Sequence, residues 1–278
     1  MADLKILSLN TWGSRLEREL YQYFRQKCQS YDVLAFYEVH HSPSKGKMVM
    51  PTVDGMDPTA KEKIESCFPG HDAYFFPFIS GYFMGRHVHP REIQYGNMLL
   101  IRKGIVHDRV IDWPIFGEPV RQGRKLYGDE VVPRNMILST IGAPLGPNLI
   151  IGAFHGLHVA GTYKRDIPER RSQSAGVVDG INAYDPSRDA PILLMGDFNL
   201  RPSELPLGYM QVQLGLMDLV SLHKYKSTRT KHYERADAKG NTLFADYMLL
   251  SPRLQYRDFV VDYDVPSDHA ALSIVLQL

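Results

Sequence analysis

Short apolar runs alternate with polar turns along this chain, and the spacing of the apolar positions changes from run to run. Lys5 to Trp12 has the composition of a strand, and behind it Leu16, Leu20, Phe24 and Cys28 recur at spacings of four, one face of a helix. Ser14 and Glu17 have the Ser-x-x-Glu spacing of a capping box, which places the start of that helix. Val33 to His40 reads as the next strand and Asp57 to Phe68 as a helix. Asp72 to Ile79 and Gly96 to Lys103 are strands on either side of a polar loop, Gly81 to Gln94. Further strands are expected at Val110 to Phe116, Arg134 to Ile141 and Asn148 to Leu157. An acidic cap with an early proline, Asp166-Ile167-Pro168-Glu169, opens a helix that runs through Ala175, Val178 and Ile181 to about Tyr184. Pro191 to Asn199, Asp246 to Ser251, Tyr256 to Val265 and Ala270 to Leu278 complete the strands, with a short helix at Met217 to His223. Strands outnumber helices and the helices are spaced among them, so the pattern predicts an α/β domain dominated by sheet.

No linker, repeat or low-complexity tract divides the 278 residues, and one domain spanning residues 1–278 is expected. Asn135 to Tyr163 carries no Asp, Glu, Lys or Arg, but Pro144, Gly146, Pro147 and Asn148 break it into two short apolar runs. That pattern suits two buried strands around a turn, not a membrane span. The 32 Lys+Arg and 31 Asp+Glu leave a net charge of +1, which excludes a uniformly polybasic surface and leaves room for a local basic cleft. Cys28 and Cys67 are too few for a disulfide framework and too scattered for a thiolate zinc site. With no export signal read at the N-terminus, the expectation is a cytoplasmic protein without membrane insertion or an obligate protein partner.

Chemistry gathers where the apolar runs end. Ile192 to Met195 leads into Gly196-Asp197-Phe198-Asn199, and the two-residue period of a strand points Asp197 and Asn199 to one side. Such a pair either sets a carboxylate for water or metal beside an anion-binding amide, or closes an ordinary Asp/Asn turn. Asn10 ends the first run, Glu38 the second and His155 the run from Leu149; Asp246 opens a strand, and Asp268-His269 stand at the entry to the last. Each taken alone is an ordinary turn or structural residue. Three carboxylates (Glu38, Asp197, Asp268) with amides, two histidines and no thiolate make a set suited to Mg2+ or Mn2+, the kit for metal-assisted attack of water on phosphorus.

Asn10, the Glu38 strand, Gly96-Asn97, the His155 strand, Gly196-Asp197-Phe198-Asn199, Asp246-Tyr247 and Ser267-Asp268-His269 occur in an order that resembles the endonuclease/exonuclease/phosphatase superfamily, the deoxyribonuclease I-like fold. The resemblance spans residues 5 to 278. It implies a four-layer α-β-β-α sandwich, an α/β (α+β) fold in which two mixed β-sheets pack face to face with helices outside and the active site at one edge. It further implies Glu38 as principal metal ligand, with Asn10 and Asp268 completing the metal and phosphate environment. Asp197 would position or deprotonate the attacking water, while Asn199 and Asn97 would bind phosphate. His269 would be the catalytic imidazole, with Asp246 orienting it, and His155 would contact phosphate or the leaving group, with Glu92 as a candidate partner.

Departures from the family pattern bear on substrate. Tyr37 stands where the family usually has Gln before the metal-binding Glu, which should alter the surroundings of the ligand without removing it. His155 separates the chain from the exonuclease III and AP endonuclease branch, and Phe244-Ala245-Asp246-Tyr247 lacks the Cys-Asp-Arg of inositol polyphosphate phosphatases. His155-Gly156-Leu157 with Arg170 and Gln173 looks most like small bacterial members of broad or unassigned specificity. Lys224 to Lys239 is basic, with Tyr225 and Tyr233 interleaved, and either contacts the phosphates of DNA or RNA or forms a solvated loop. Arg121, Arg124 and Lys125 form a second basic candidate, and His87 and His89 a loop pair with metal-binding spacing. The resulting expectation is a Mg2+- or Mn2+-dependent phosphodiesterase or nuclease. A phosphomonoesterase acting on lipid head groups or nucleotides is the alternative, and an inactive binding member of the family is a third reading.

Overall fold

The computed structural model describes residues 3–42, 55–80, 93–119, 132–142, 148–159, 161–234 and 243–278. The strands are β1 (Asp3–Asn10), β2 (Val33–His41), β3 (His71–Ser80), β4 (Gln94–Arg102), β5 (Ile111–Phe116), β6 (Arg134–Ile141), β7 (Leu149–His155), β8 (Ile192–Asp197), β9 (Met217–Asp218), β10 (Asp246–Leu250), β11 (Gln255–Asp262) and β12 (Ala271–Gln277). The helices are α1 (Glu17–Lys27), α2 (Ala60–Cys67), α3 (Pro168–Tyr184), α4 (Leu205–Leu214) and α5 (Leu219–Leu222).

Two six-stranded sheets result, in the orders β11-β12-β1-β2-β4-β3 and β5-β6-β7-β8-β10-β9. Both are mixed, because β1–β2 and β7–β8 are parallel while their other neighbours run antiparallel. A parallel pair needs a long crossover, and α1 and α3 lie in those two connections. Alternation along the strands sorts the core. Leu4 and Ile6 of β1 join the cluster packed between the sheets, whereas Leu7 and Leu9 join Leu20, Phe24, Ile64 and Phe68 under α1 and α2. The central strands β7 and β8 are buried along their whole length, which is why Leu149 to Phe154 and Ile192 to Met195 read as unbroken apolar runs. This is the layered architecture expected from the sequence.

Several elements differ from expectation. Ser14 does not cap α1: Trp12–Ser14 forms a separate 3-10 turn through Gly13 at φ +61°, and α1 opens at Glu17 without a side-chain cap. The spacing Ser-x-x-Glu was met, but the backbone at Ser14 (φ +57°) is left-handed, not the extended conformation of a cap. Met217 to His223 is a two-residue strand followed by one helical turn, α5, capped by Asp218, which accepts from Val220 N at 2.9 Å and Ser221 N at 3.3 Å. The sequence pattern gives no sign of helix α4. Its Pro206 and Gly208 disguise it, and apolar Leu205 and Val212 face solvent, so it carries no amphipathic stripe.

Candidate active site

The parallel pairing brings four strand ends to one edge of the sandwich. His155 at the end of β7 lies opposite Asp197 at the end of β8, and Asp246 at the start of antiparallel β10 also lies opposite Asp197. Asn10 ends β1 and Glu38 lies near the end of β2 in the facing sheet. Glu38 occupies a bulge: Phe36 pairs with Met98 and Val39 with Gly96, so Tyr37 and Glu38 together face Asn97. Its φ of +59° is left-handed, a strain of about 1–3 kcal/mol of the kind tolerated where function needs it. Tyr37, displacing the expected Gln, spans the core and donates from its hydroxyl to Met195 O of β8 at 3.1 Å.

Beneath Asp197 the backbone approaches very closely. Gly196 has φ +150°, and a Cβ there would meet Phe154 O at 1.9 Å, so no larger residue fits. Phe198 stacks on Phe154, ring centres 4.4 Å apart, and fixes the turn from below. The strand stops at Asp197, and Asn199 N donates to Asp197 Oδ1 at 2.9 Å with Asn199 left-handed at φ +52°. Asp197 Oδ1 thus closes an Asp turn while its Oδ2 faces the cluster.

Asn10 Nδ2 donates to Asp197 Oδ2 at 2.9 Å and to Glu38 Oε1 at 3.1 Å, and Asn10 Oδ1 accepts from Trp12 N at 2.9 Å. Asp197 Oδ2 lies 3.5 Å from His155 Nε2 and 3.6 Å from His269 Nε2. His269 Nδ1 is 2.9 Å from both oxygens of Asp246, which leaves Nε2 turned to Asp197 and, at 3.7 Å, to Asp268 Oδ1. Ser267 Oγ donates to Asn10 O at 2.7 Å and accepts from His269 N at 3.1 Å, latching the entry of β12 to β1. Asp268 Oδ2 accepts from Arg229 Nη1 at 3.1 Å.

Three cations adjoin these four carboxylates. Arg134 is buried at the start of β6, donating from Nε to Gly156 O at 3.1 Å; Lys164 is buried in the loop after β7, and Arg229 lies beside Asp268. Burial opposes the charge of Asp197, but His269, His155, Arg229 and Lys164 together outweigh it and hold the carboxyl well below the usual range. Burial lifts Glu38, against the pull of His269, and lifts Asp246 too, again partly offset by His269. The two imidazoles diverge. Burial and then Arg134 drive His155 well below its ordinary value. Burial and Arg229 also press on His269, yet Asp246, Asp268 and Asp197 together raise it. Lys164 is brought down to about 7 by burial and by Arg229.

The donors fit a hard divalent cation. Asp197, Asp246 and His269 each offer a ligand atom within 4.8 Å of the others. Asp268 Oδ1 is buried without a hydrogen-bond partner among the described residues, and both cysteines are buried in the outer core, away from this cluster. An oxygen-rich set with imidazole and no thiolate suits Mg2+ or Mn2+.

Not every predicted residue joins the cluster. Asn97 donates to Asn135 Oδ1 at 2.9 Å and Asn135 O at 3.3 Å, in the seam between β4 and β6. Asn199 Nδ2 donates to Gly156 O at 3.1 Å. Arg170 and Gln173 are structural: Arg170 donates to Leu157 O, Thr162 Oγ1 and Arg165 O, and Gln173 Oε1 accepts from Leu157 N, so together they shape the loop after β7. Glu92, His87, His89, Arg121, Arg124, Lys125 and the stretch 235–242 lie outside the described residues. Of the basic segment, Lys224, Lys226 and Lys231 are exposed, whereas Thr228, Arg229 and Thr230 are buried against the site. The sequence pattern does not single out Arg134 or Lys164. No local motif marks them, since Gly156 O and Phe244 O, which accept from them, lie well away in the chain, just past β7 and just before β10.

The sequence matches the Endonuclease/Exonuclease/phosphatase family over residues 7–269, and the chain belongs to that family. No curated protein matches it. Among solved structures, its fold is similar to a mannosyl-6-phosphatase from Bacteroides thetaiotaomicron VPI-5482, with a TM-score of 0.68 and 15% identity over 99% of this chain and 100% of that one. It is also similar to the human Nocturnin catalytic domain with bound sulfate, with a TM-score of 0.66 and 17% identity over 99% and 93%. A humanized D. rerio TDP2 aligns with a TM-score of 0.62 and 17% identity over 99% of each chain. Family and buried carboxylate–histidine cluster together define a phosphoesterase.

Proposed function

We propose that this protein is a Mg2+- or Mn2+-dependent phosphodiesterase. The observation that carries the reading is the pair of imidazole nitrogens, His155 Nε2 and His269 Nε2, set 3.5 and 3.6 Å from one oxygen of Asp197. In-line displacement at phosphorus needs one group beside the attacking water and another beside the leaving oxygen, and two imidazoles of opposite tendency supply them. Asp197, held ionised, takes a hydrogen of the water. His269, whose charged form is favoured and whose Nδ1 hydrogen is fixed by Asp246, stabilises or protonates the alkoxide. His155, held neutral, accepts on the water side. Glu38 and Asp268, the ligands the resemblance implies, would hold the cation beside Asp197, Asp246 and His269, whose ligand atoms lie within 4.8 Å of one another, with Asn10 aligning Glu38 against Asp197. Bound there, the cation supplies neutralisation of charge on the phosphoryl oxygens.

A second reading has its own observation. Thr228 to Thr230 is folded into the site instead of running along an open track, which suits a small ester such as a phosphorylated head group or nucleotide. The panel that decides between them is bis-(p-nitrophenyl) phosphate, p-nitrophenyl phosphate, DNA and RNA with Mg2+ and Mn2+. Diesters cleaved faster than monoesters support the phosphodiesterase; monoester preference throughout gives the site to the phosphomonoesterase, and no turnover of any ester leaves a binding protein. For nucleic acid as substrate, replacing exposed Lys224, Lys226 and Lys231 with Ala should flatten the salt dependence of binding, each lost phosphate contact removing a slope of about 0.7–0.9.

A further inference from the structure

The loop after β7 and the segment before β10 bring two cations to one aromatic ring beside the catalytic cluster. The segment is firmly held: Thr228 N donates to Leu243 O at 2.9 Å, Ala270 N to Thr228 O at 2.9 Å and Thr230 N to Asp268 O at 3.2 Å, and Arg229 is bridged to His269. Arg229 is 8% exposed, and of its three nitrogens Nη1 reaches Asp268 while Nε is buried without a hydrogen-bond partner among the described residues. Its guanidinium carbon lies 4.4 Å from the centre of the Tyr233 ring.

Lys164 approaches the same ring from the other loop, with Nζ at 5.7 Å from its centre and donating to Phe244 O at 2.7 Å. The loop is built to present it. Tyr163 and Lys164 are both left-handed, at φ +50° and +59°, and Arg201 Nε pins Tyr163 O at 2.7 Å. Arg170, fully buried, anchors Leu157, Thr162 and Arg165 around it. Two buried cations on one ring repel each other, and a buried guanidinium N–H left unpaired is costly until an acceptor arrives. An oxyanion within reach of both would offset the repulsion and supply the missing acceptor, with Arg offering planar donors and Lys a point charge.

We propose that Arg229 and Lys164 form a second anion-binding position beside the catalytic cluster, which takes a further acidic group of the substrate, phosphate or carboxylate, next to the phosphorus under attack. The inference rests on the phosphoesterase reading of the same site and narrows its substrates to esters carrying a second negative group. Calorimetric titration of the full chain bearing Asp197→Asn, in saturating Mg2+, tests it with three ligands: propyl phosphate, propane-1,3-diol bisphosphate and 3-phosphonooxypropanoate. The bisphosphate should bind at least about tenfold tighter than propyl phosphate, the scale of a charge-assisted pair. An equal gain with the carboxylate assigns the position to any oxyanion, and a gain with the bisphosphate alone assigns it to phosphate. Adding Arg229→Met or Lys164→Met should cut the gain to about threefold or less. If Arg229→Met does not melt cooperatively, Arg229→Lys replaces it, and Lys164→Met probes the position independently. Equal affinities for the three ligands, absence of binding by all three, or a gain that survives both variants overturns the proposal. Failure of the phosphodiesterase reading shows separately, as monoester preference in turnover by the parent, and leaves the binding comparison intact.

Discussion

Replacing Asp197 and Glu38 by their amides separates chemistry from stability, because the two carboxylates sit in opposite electrostatic circumstances. Asp197 is held ionised by His269, His155, Arg229 and Lys164, so its charge supports the fold as well as the site. Asp197→Asn should lower turnover of bis-(p-nitrophenyl) phosphate by at least about a hundredfold and should also lower Tm. Glu38 is a carboxylate that burial makes reluctant to ionise, so Glu38→Gln should cost a similar factor in turnover without lowering Tm. Normal turnover in either variant would put the chemistry elsewhere. At this scale the sequence was readable where a polar residue borders an apolar run, ending it as at Glu38, Asp197 and His155 or preceding it as at His269. It was silent on Arg134 and Lys164, which look like ordinary loop or strand cations until Gly156 and Phe244 close on them.

At the scale of elements, β3 offers a titration that has nothing to do with the site. His71, its first residue, is buried, with Nε2 at 3.0 Å from Tyr31 O, its ring edge-on to Phe68, and Nδ1 without a hydrogen-bond partner among the described residues. Burial holds its pKa below the ordinary value, against the hydrogen bond to Tyr31. The unfolded chain therefore binds a proton at about pH 6.5 that the folded chain refuses, and stability present above that pH is lost as the pH falls. Urea midpoints should drop from pH 7 to pH 5, and His71→Gln should make that drop shallower. An unchanged slope in the variant would mean that His71 contributes nothing to it. Strand positions were legible here because alternation and buried runs are local. The start of α1 and the existence of α4 were not, because a left-handed turn at Gly13 and Ser14 displaced one cap and contacts outside the helix had to stabilise the other.

Across the whole molecule, the core between the sheets and the outer cluster under α1 and α2 owe nothing to a metal. Chelation should therefore abolish hydrolysis while leaving the circular dichroism spectrum and the cooperative melt in place, and added Mg2+ should restore activity. Loss of secondary structure in EDTA would make the ion structural, and full activity in EDTA would remove it from the reaction.

The sequence by itself determined which residues end the apolar runs, that the runs are strands with a few helices between them, and that an oxygen-rich set of side chains stands at their tips. All of that is written in spacings of two to four residues and in what each side chain can ligate or titrate. Only the tertiary structure decided that Asp197 serves turn and cluster together, that a bulge turns Glu38 out of the regular pleat, and that Arg229 leaves the basic segment to pair with Asp268. These depend on strands that lie far apart in the chain and meet only when the two sheets pack, and no local periodicity records which of them will meet.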